Sequence, residues 1–181
     1  MWNRKSGCPI HCFSLVVCRH PDTKLWLAVE ETKDRGWWLP GGYIDNGGHD
    51  IGHEETAIRE TQEEAGVDVV LKGILRIENS IGIRGGRQRV IYYAEPKDPE
   101  RALKPKRIPD MESVGAAWLS LEELREKSTQ PPPHGLRGRE LLDWATYIEN
   151  GGTVYPLAVL ANENTPVTVA KDRATVPGQG D

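Results

Sequence analysis

The chain has 181 residues, a formal net charge of −4 at pH 7 and a mean hydropathy of −0.55. This length fits one domain that can bury a core, and no apolar run approaches the length of a membrane span. The net negative charge argues against a protein that coats nucleic acid in general. Three cysteines at no standard spacing indicate a reducing compartment, so a cytoplasmic protein is expected.

The first third of the chain alternates apolar runs with turn residues. This pattern predicts strands over residues 13–19, 25–30 and 37–39, with turns at 21–24 and 34–36. A helix is predicted over residues 54–65, because Ala57, Thr61 and Ala65 form a modest apolar stripe together with Ile58. Gly66 follows at the position where glycine commonly ends a helix.

The rest of the chain continues to mix strands and helices. Strand-like runs cover 69–79, 90–94 and 114–119, and they are separated by a glycine-rich basic loop at 80–89 and a long connection at 95–111. Ser120 and Glu123 predict a capping box for a helix over 121–127, and apolar spacing predicts another over 137–149. We therefore predict an α/β fold with one domain over residues 1–160 and a loose tail over 161–181.

The helix at 54–65 carries three carboxylates on one side. At about 100° per residue, Glu60, Glu63 and Glu64 fall within an arc of roughly 100°. Glu60 and Glu64 are like charges at the i,i+4 spacing, which disfavours an isolated helix, and the three groups raise one another's pKa unless a cation lies among them. A hard divalent cation is the natural compensation, although an ordinary solvated face with an Arg59–Glu63 ion pair has the same pattern.

The run over residues 42–67 resembles the Nudix box, which reads glycine, five residues, Glu, seven residues, then R-E-hydrophobic-x-E-E-x-G-hydrophobic. The second half matches at every charged and glycine position, with Thr61 where the pattern has a larger apolar residue. The first half differs, because Gly42 precedes Arg59 by 17 residues where the pattern has fourteen. No Glu stands at the expected place. Asp50 is the nearby carboxylate that could replace it, as a helix cap or as a partner of Arg59.

The resemblance implies a Nudix-type α/β/α sandwich with a mixed sheet and a loop-helix-loop catalytic motif. It implies Mg²⁺ or Mn²⁺ bound by Glu60, Glu63 and Glu64, with the Gly42 carbonyl as a further ligand and Arg59 orienting the carboxylates. Glu112 is the candidate general base, because it stands six residues before Trp118, as a catalytic Glu does in MutT-like members. Glu63 is the fallback base, and a solvated loop acid is the other interpretation of Glu112.

Basic and aromatic residues outside the box are candidates for substrate binding. Arg84, Arg87 and Arg89 could bind phosphate oxygens through their guanidinium groups. Trp37 could stack on a base. Solubility charge is an equally good explanation for each arginine, and strand aromatics more often face the core.

The leading functional hypothesis is a metal-dependent pyrophosphohydrolase that acts on a nucleoside diphosphate linked to another group. A diphosphoinositol polyphosphate or dinucleoside polyphosphate hydrolase is an alternative, and a catalytically weak nucleotide-binding module is a second. The expected partner is a small-molecule phosphoanhydride substrate, with neither a membrane nor nucleic acid involved.

Overall fold

The structure is a computed structural model that describes residues 7–45, 52–83 and 85–166. Its strands are β1 (Ile10–Cys18), β2 (Trp26–Glu31), β3 (Gly36–Trp38), β4 (Gly41–Tyr43), β5 (Val69–Gly82), β6 (Gly85–Pro96) and β7 (Ser113–Leu119). Its α-helices are α1 (His53–Ala65), α2 (Pro99–Ala102), α3 (Leu121–Ser128) and α4 (Glu140–Glu149), followed by a 3₁₀ turn at Leu157–Val159.

The strands form two sheets. The larger sheet has the order β4-β1-β6-β5 and is mixed, because β1 and β6 run parallel while the outer pairs are antiparallel. The smaller sheet has the order β3-β2-β7 and is antiparallel throughout. The α/β fold with a mixed sheet is therefore confirmed.

The side chains of each strand point alternately to the two faces of a sheet, and apolar residues on the two faces form two separate cores. On β1, Leu15 and Val17 point to a core that includes Leu141 and Ala145 of α4. Val16, between them, points to the other core, which includes Ala57 of α1. Because successive side chains of a strand point to opposite faces, the sheets lie between α1 on one side and α3 and α4 on the other. This is the α/β/α sandwich.

Helix α1 begins and ends close to the predicted positions. Gly66 adopts the left-handed conformation with φ of 68°, and its N–H donates to the carbonyl of Gln62. Thr61 is fully buried and donates its hydroxyl to the carbonyl of Ala57 at 2.7 Å, which explains how a polar residue is tolerated in the apolar stripe. Ile58 is 41% exposed, so the prediction that it belongs to that stripe is wrong.

The predicted basic loop at 80–89 is also wrong, because these residues belong to a long hairpin. Strand β5 continues to Gly82 and β6 begins at Gly85, with Ser80 paired to Arg87 and Glu78 paired to Arg89. Arg89 forms an ion pair with Glu78 across the two strands. Cross-strand pairs of opposite charge stabilise a sheet, and charges are tolerated on a face that water reaches.

The second half of the chain follows the prediction more closely. The Ser120–Glu123 capping box at the start of α3 is confirmed, whereas α4 begins at Glu140, three residues later than predicted. The long connection contains the short helix α2. Residues 161–166 form no helix or strand, and residues 167–181 lie outside the described part of the chain. In that described part, no helix is long and apolar enough to cross a membrane.

Strand β4 depends on a glycine at its first residue. Gly41 has φ of 153°, and a Cβ atom there would lie 2.2 Å from the carbonyl oxygen of Ser14 and 2.8 Å from the Cα of Leu15. Both atoms belong to the backbone of β1 and cannot move without disrupting the β1–β4 pairing. Only glycine therefore allows the two strands to approach this closely.

We expect Gly41→Ala to lower the free energy of unfolding by at least about 1 kcal/mol, because the added methyl group would clash with the backbone of β1 at both Ser14 and Leu15. Chemical denaturation followed by circular dichroism measures this change. Gly138→Ala is the matched control, since a Cβ at Gly138 would meet nothing within 4 Å. Equal stability of the two variants would contradict the close approach described for β4.

Candidate active site

An open cleft of about 670 Å³ lies where α1 meets β4. Three chain segments complete its walls: the β2–β3 turn, the residues directly after β4, and the connection before β7. Its lining residues are Thr32, Lys33, Arg35, Gly41, Gly42, Tyr43, Ile44, Asp45, Arg59, Glu60, Glu63, Glu64, Met111 and Glu112. The cleft thus brings together residues from three separate segments. They are Gly42 of β4, Arg59 and the three carboxylates of α1, and Glu112 before β7.

Arg59 connects the helix to β4. Its guanidinium lies 3.0 Å from Glu60 Oε1 and 2.6 Å from Glu63 Oε2, and it donates a hydrogen bond of 3.2 Å to the carbonyl of Tyr43. A planar guanidinium with several donors can hold two carboxylates and a carbonyl in one orientation. Through these contacts Arg59 is placed where it could orient the carboxylates, and its orienting role stays a prediction.

Glu64 points into the β1–β4 corner of the cleft. Its Oε2 accepts a hydrogen bond of 2.9 Å from the backbone N–H of Gly41. The pKa of Glu64 is nevertheless raised to about 8, mainly by burial and in smaller part by the nearby carboxylates Glu60, Glu31 and Glu112, while the Gly41 hydrogen bond opposes this rise. In this position the Glu64 carboxylate is therefore more stable when it is protonated or when a cation lies beside it.

Glu60 is the most buried of the three carboxylates, with 9% of its surface exposed. Burial raises its pKa, and Arg59 lowers it only in part, while Glu63 and Glu112 raise it again. The backbone of β4 lies directly against this group, since a Cβ on Gly42 would be 2.2 Å from Glu60 Oε1. A side chain at position 42 would therefore displace the Glu60 carboxylate from this place against the strand.

The donors in the cleft fit Mg²⁺ or Mn²⁺ by their chemistry. They are carboxylate and carbonyl oxygens, which hard divalent cations prefer, and burial raises the pKa of Glu60 and of Glu64, so that their ionised forms would gain from a nearby cation. Over residues 7–45, 52–83 and 85–166, no three His, Cys, Asp or Glu side chains converge closely enough to enclose an ion. Arg59 pairs with both Glu60 and Glu63, so these two side chains would have to turn to reach an ion beside Glu64.

Glu112 lies at the solvent-facing side of the cleft. Its side chain is exposed, and its N–H donates to Oδ1 of Asp110 in the turn that leads into β7. The next residue, Ser113, donates its hydroxyl to the carbonyl of Glu64 at 2.6 Å and so fixes this turn against α1. Glu112 is close enough to raise the pKa of both Glu60 and Glu64.

The cleft also has a basic wall, which the sequence analysis missed. Lys33 and Arg35 lie in the β2–β3 turn, where Lys33 and Asp34 both have positive φ. Lys33 forms no ion pair with any described residue, and Arg35 is 3.7 Å from Glu31. The signal was present in the sequence, because a hairpin turn that directly precedes the Trp37–Gly42 run must lie near the start of the box.

The remaining predicted binding residues do not line this cleft. Trp37 packs against the α4 core, and its ring lies 4.6 Å from the ammonium of Lys127. Arg89 forms ion pairs with Glu78 and Glu140, and Arg87 lies on the α4 face of β6. The structure therefore lends no geometric support to these three as phosphate or base contacts in the cleft. Arg84 and Asp50 lie outside the described residues.

Comparison with known proteins identifies the family. The family model described as the NUDIX domain matches residues 12–145, a range that begins within β1 and ends within α4. A solved structure of a NUDIX hydrolase from Nitrosomonas europaea superposes with a TM-score of 0.63 at 22% identity, covering 85% of this chain and 97% of that one. The chain belongs to the Nudix hydrolase family.

Two relatives with assigned names are similar in sequence. The bis(5'-nucleosyl)-tetraphosphatase [asymmetrical] of Rattus norvegicus is 33% identical over 91 residues, which cover 48% of this chain and 57% of the rat protein. The putative nudix hydrolase 1 of Caenorhabditis elegans is 32% identical over 152 residues, covering 79% of this chain and 37% of the nematode protein. The matches thus span about half or less of each relative's length.

The pKa of Glu64 predicts how stability depends on pH when a chelator keeps metal away. Glu64 has a folded-state pKa of about 8 against an ordinary value of 4.5, so its contribution to stability is present below pH 4.5 and is lost as pH rises towards 8. The neutral amide of Glu64→Gln removes this loss. We expect Glu64→Gln to melt roughly 5 °C above the wild type at pH 8.5 and at about the same temperature at pH 4.5.

Thermal denaturation in EDTA at both pH values tests this expectation. Glu122→Gln is the control, because Glu122 is an exposed residue of α3 whose ion pair with Arg125 lies at the surface. A gain for Glu64→Gln that is the same at both pH values would contradict the proposed burial of charge.

Proposed function

We propose that this protein is a metal-dependent hydrolase that cleaves a phosphoanhydride bridge in a nucleoside polyphosphate. The observation that carries the proposal is the two-sided cleft. One wall holds the carboxylates of Glu60, Glu63, Glu64 and Glu112, and the β2–β3 turn adds Lys33 and Arg35. Carboxylates alone would repel an anionic substrate, whereas a cation on one wall and basic side chains on the other can hold a chain of phosphates.

Glu60, Glu63 and Glu64, with the carbonyl of Gly42, are the residues that would hold Mg²⁺ or Mn²⁺. When bound, such a cation neutralises phosphate charge, orients the bridge and makes a water molecule more acidic. Arg59 would orient Glu60 and Glu63 through the contacts described above. The Gly41 N–H would keep Glu64 directed at the same point.

Glu112 is the proposed general base. Its exposed carboxylate would take a proton from water as the water oxygen attacks one phosphorus atom, and the bridging oxygen would leave with the other phosphate group. Lys33 and Arg35 would contact phosphate oxygens further along the chain and so position the bridge against the acidic wall. Glu63 is the second candidate for the base, because it is the most exposed of the three helix carboxylates.

A dinucleoside polyphosphate is the first substrate that we would test. The support is the rat relative at 33% identity, whose name describes an asymmetrically acting bis(5'-nucleosyl)-tetraphosphatase. A nucleoside diphosphate linked to another group is the second candidate, since such a substrate contains the one phosphate bridge that the proposed reaction requires and needs only a few basic contacts. A diphosphoinositol polyphosphate has less support, because Arg87 and Arg89, two of the arginines expected to bind phosphate, lie outside the cleft.

A catalytically weak nucleotide-binding module is the remaining alternative. Its main support is the missing Glu in the first half of the box. A binding module has no physical need for the carboxylates of Glu60 and Glu64 in positions where burial and neighbouring carboxylates raise the pKa of each. The retained acidic wall therefore favours turnover.

Hydrolysis is expected to require Mg²⁺ or Mn²⁺ and to stop in excess EDTA, because the acidic wall then repels the substrate. Glu63→Gln and Glu64→Gln should each lower kcat by roughly 100-fold or more with the fold intact, since an amide keeps the shape but loses the charge. The measurement is the formation of nucleotide products from diadenosine tetraphosphate and from ADP-ribose, separated by chromatography, with circular dichroism to check folding. Full activity in EDTA would disprove the assignment.

Lys33→Ala and Arg35→Ala together should raise KM for diadenosine tetraphosphate by about 10-fold and change kcat less, because they remove contacts to phosphates away from the reacting bond. Arg139→Ala is the matched control, because Arg139 is exposed before α4 and lies outside the cleft. Unchanged KM in the double variant would show that the β2–β3 turn does not contact the substrate.

A further inference from the structure

Among the residues that the structure describes, helix α4 covers its side of the larger sheet only in part. Leu15 and Ile91 are buried under α4 on this face, but the ends of β1 and β6 nearest to Ile10 extend beyond the helix. On that open half, the strand register pairs Phe13 with Tyr43, and the guanidinium of Arg87 lies over the ring of Phe13. These residues belong to three adjacent strands, and none of them contributes to the buried cores described above.

The centre of this surface is an aromatic pair. The rings of Phe13 and Tyr43 have centroids 3.8 Å apart with an interplanar angle of 40°. The side chain of His11 adds an edge-on contact to Tyr43, with centroids 6.3 Å apart. Tyr43 keeps 59% of its surface exposed, although a large aromatic side chain gains free energy when it is covered. An exposed aromatic surface of this kind can stack against a flat ring of a ligand.

Positive charge borders the aromatic pair. The guanidinium of Arg87 lies 5.6 Å from the centre of the Phe13 ring and forms no ion pair with any residue that the structure describes. Arg87 also lines a second cleft of about 480 Å³ together with Arg76 and Ser80. A guanidinium beside an aromatic surface suits a ligand that joins a flat ring to a polar or anionic group.

Strand β4 connects this surface to the acidic cleft. The backbone of Tyr43 faces the cleft, where its carbonyl accepts from Arg59, and Tyr43 is itself a lining residue. The preceding residue, Gly42, faces Glu60, while the ring of Tyr43 lies on the opposite side of the strand beside Phe13. Because β4 is an edge strand three residues long, the cleft and the aromatic pair are separated only by the width of that strand.

We propose that Tyr43 and Phe13, bordered by Arg87, form a stacking surface for a nucleobase of the substrate whose phosphates lie in the acidic cleft. The inference rests on the function proposed above and adds residues that determine which substrates bind. It assigns the stacking role to Tyr43 and Phe13 in place of Trp37, which packs against the core. Stacking depends on the flat face that every base has, so this surface would favour nucleotides over base-free polyphosphates without choosing strongly among bases.

Direct binding tests the surface without requiring turnover. Calorimetric titration with ADP and with inorganic pyrophosphate, both in the presence of Mg²⁺, compares ligands that differ in the nucleoside. Tyr43→Leu and Phe13→Leu are expected to weaken ADP binding by about 10-fold and to leave pyrophosphate binding unchanged. Tyr43→Phe and Tyr43→Trp keep a ring at this position and are expected to bind ADP as the wild type does.

Tyr155→Leu is the matched control, because Tyr155 is also half-exposed but pairs with Ile74 and lines neither cleft. It should not alter ADP binding. Melting temperatures of the variants establish that they fold, and Arg87→Ala provides a substitution outside the aromatic pair that should weaken ADP binding more than pyrophosphate binding.

Two outcomes would overturn the inference. If Tyr43→Leu and Phe13→Leu bind ADP as tightly as the wild type, the surface does not take the base, whatever the enzyme hydrolyses. If they weaken ADP and pyrophosphate equally, the substitutions act on the phosphate cleft. Binding of ADP that depends on Tyr43 in a protein that hydrolyses no phosphoanhydride would support the surface and contradict the proposed function, so the two failures are distinguishable.

Discussion

The site depends on one constraint: negatively charged carboxylates lie close together in a place that water reaches only in part. Glu60 and Glu64 project from one helix into the corner formed by β1 and β4, where burial raises the pKa of each. Ionised carboxylates in such a place are unfavourable unless they are paired. Arg59 supplies one positive charge, but it faces Glu60 and Glu63 and leaves Glu64 with a backbone N–H. The remaining imbalance is what makes the cleft suitable for a divalent cation.

The fold holds these charges in place through close backbone contacts. Gly41 lets β4 pack against the backbone of β1, and Gly42 lets the same strand pack against Glu60. Ser113, at the start of β7, bonds to the last turn of α1 and brings Glu112 to the opposite side. The same short strand then places the Tyr43 ring on its other face. One edge strand therefore connects the acidic wall, the orienting arginine and the proposed stacking surface.

Much of this arrangement could be predicted from the sequence because it depends on local signals. The spacing of the apolar residues located α1, and Gly66 marked its end. The Ser120–Glu123 pair marked the start of α3. The glycine-rich basic run was misassigned because glycines and arginines also suit an exposed hairpin, and the pairing of Ser80 with Arg87 is visible only in three dimensions. Lys33 and Tyr43 were missed for the same reason, since their relevance comes from neighbours distant in sequence.

If Glu64 binds a divalent cation as proposed, it must exchange a proton for that cation, because its pKa is raised to about 8. Calorimetric titration with Mn²⁺ at pH 7, in buffers that differ in ionisation enthalpy, counts the protons released on binding. With a pKa of about 8 for Glu64, the account predicts release of about one proton by the wild type and markedly fewer by Glu64→Gln. Binding of Mn²⁺ with no proton released, or with the same release in both proteins, would contradict it.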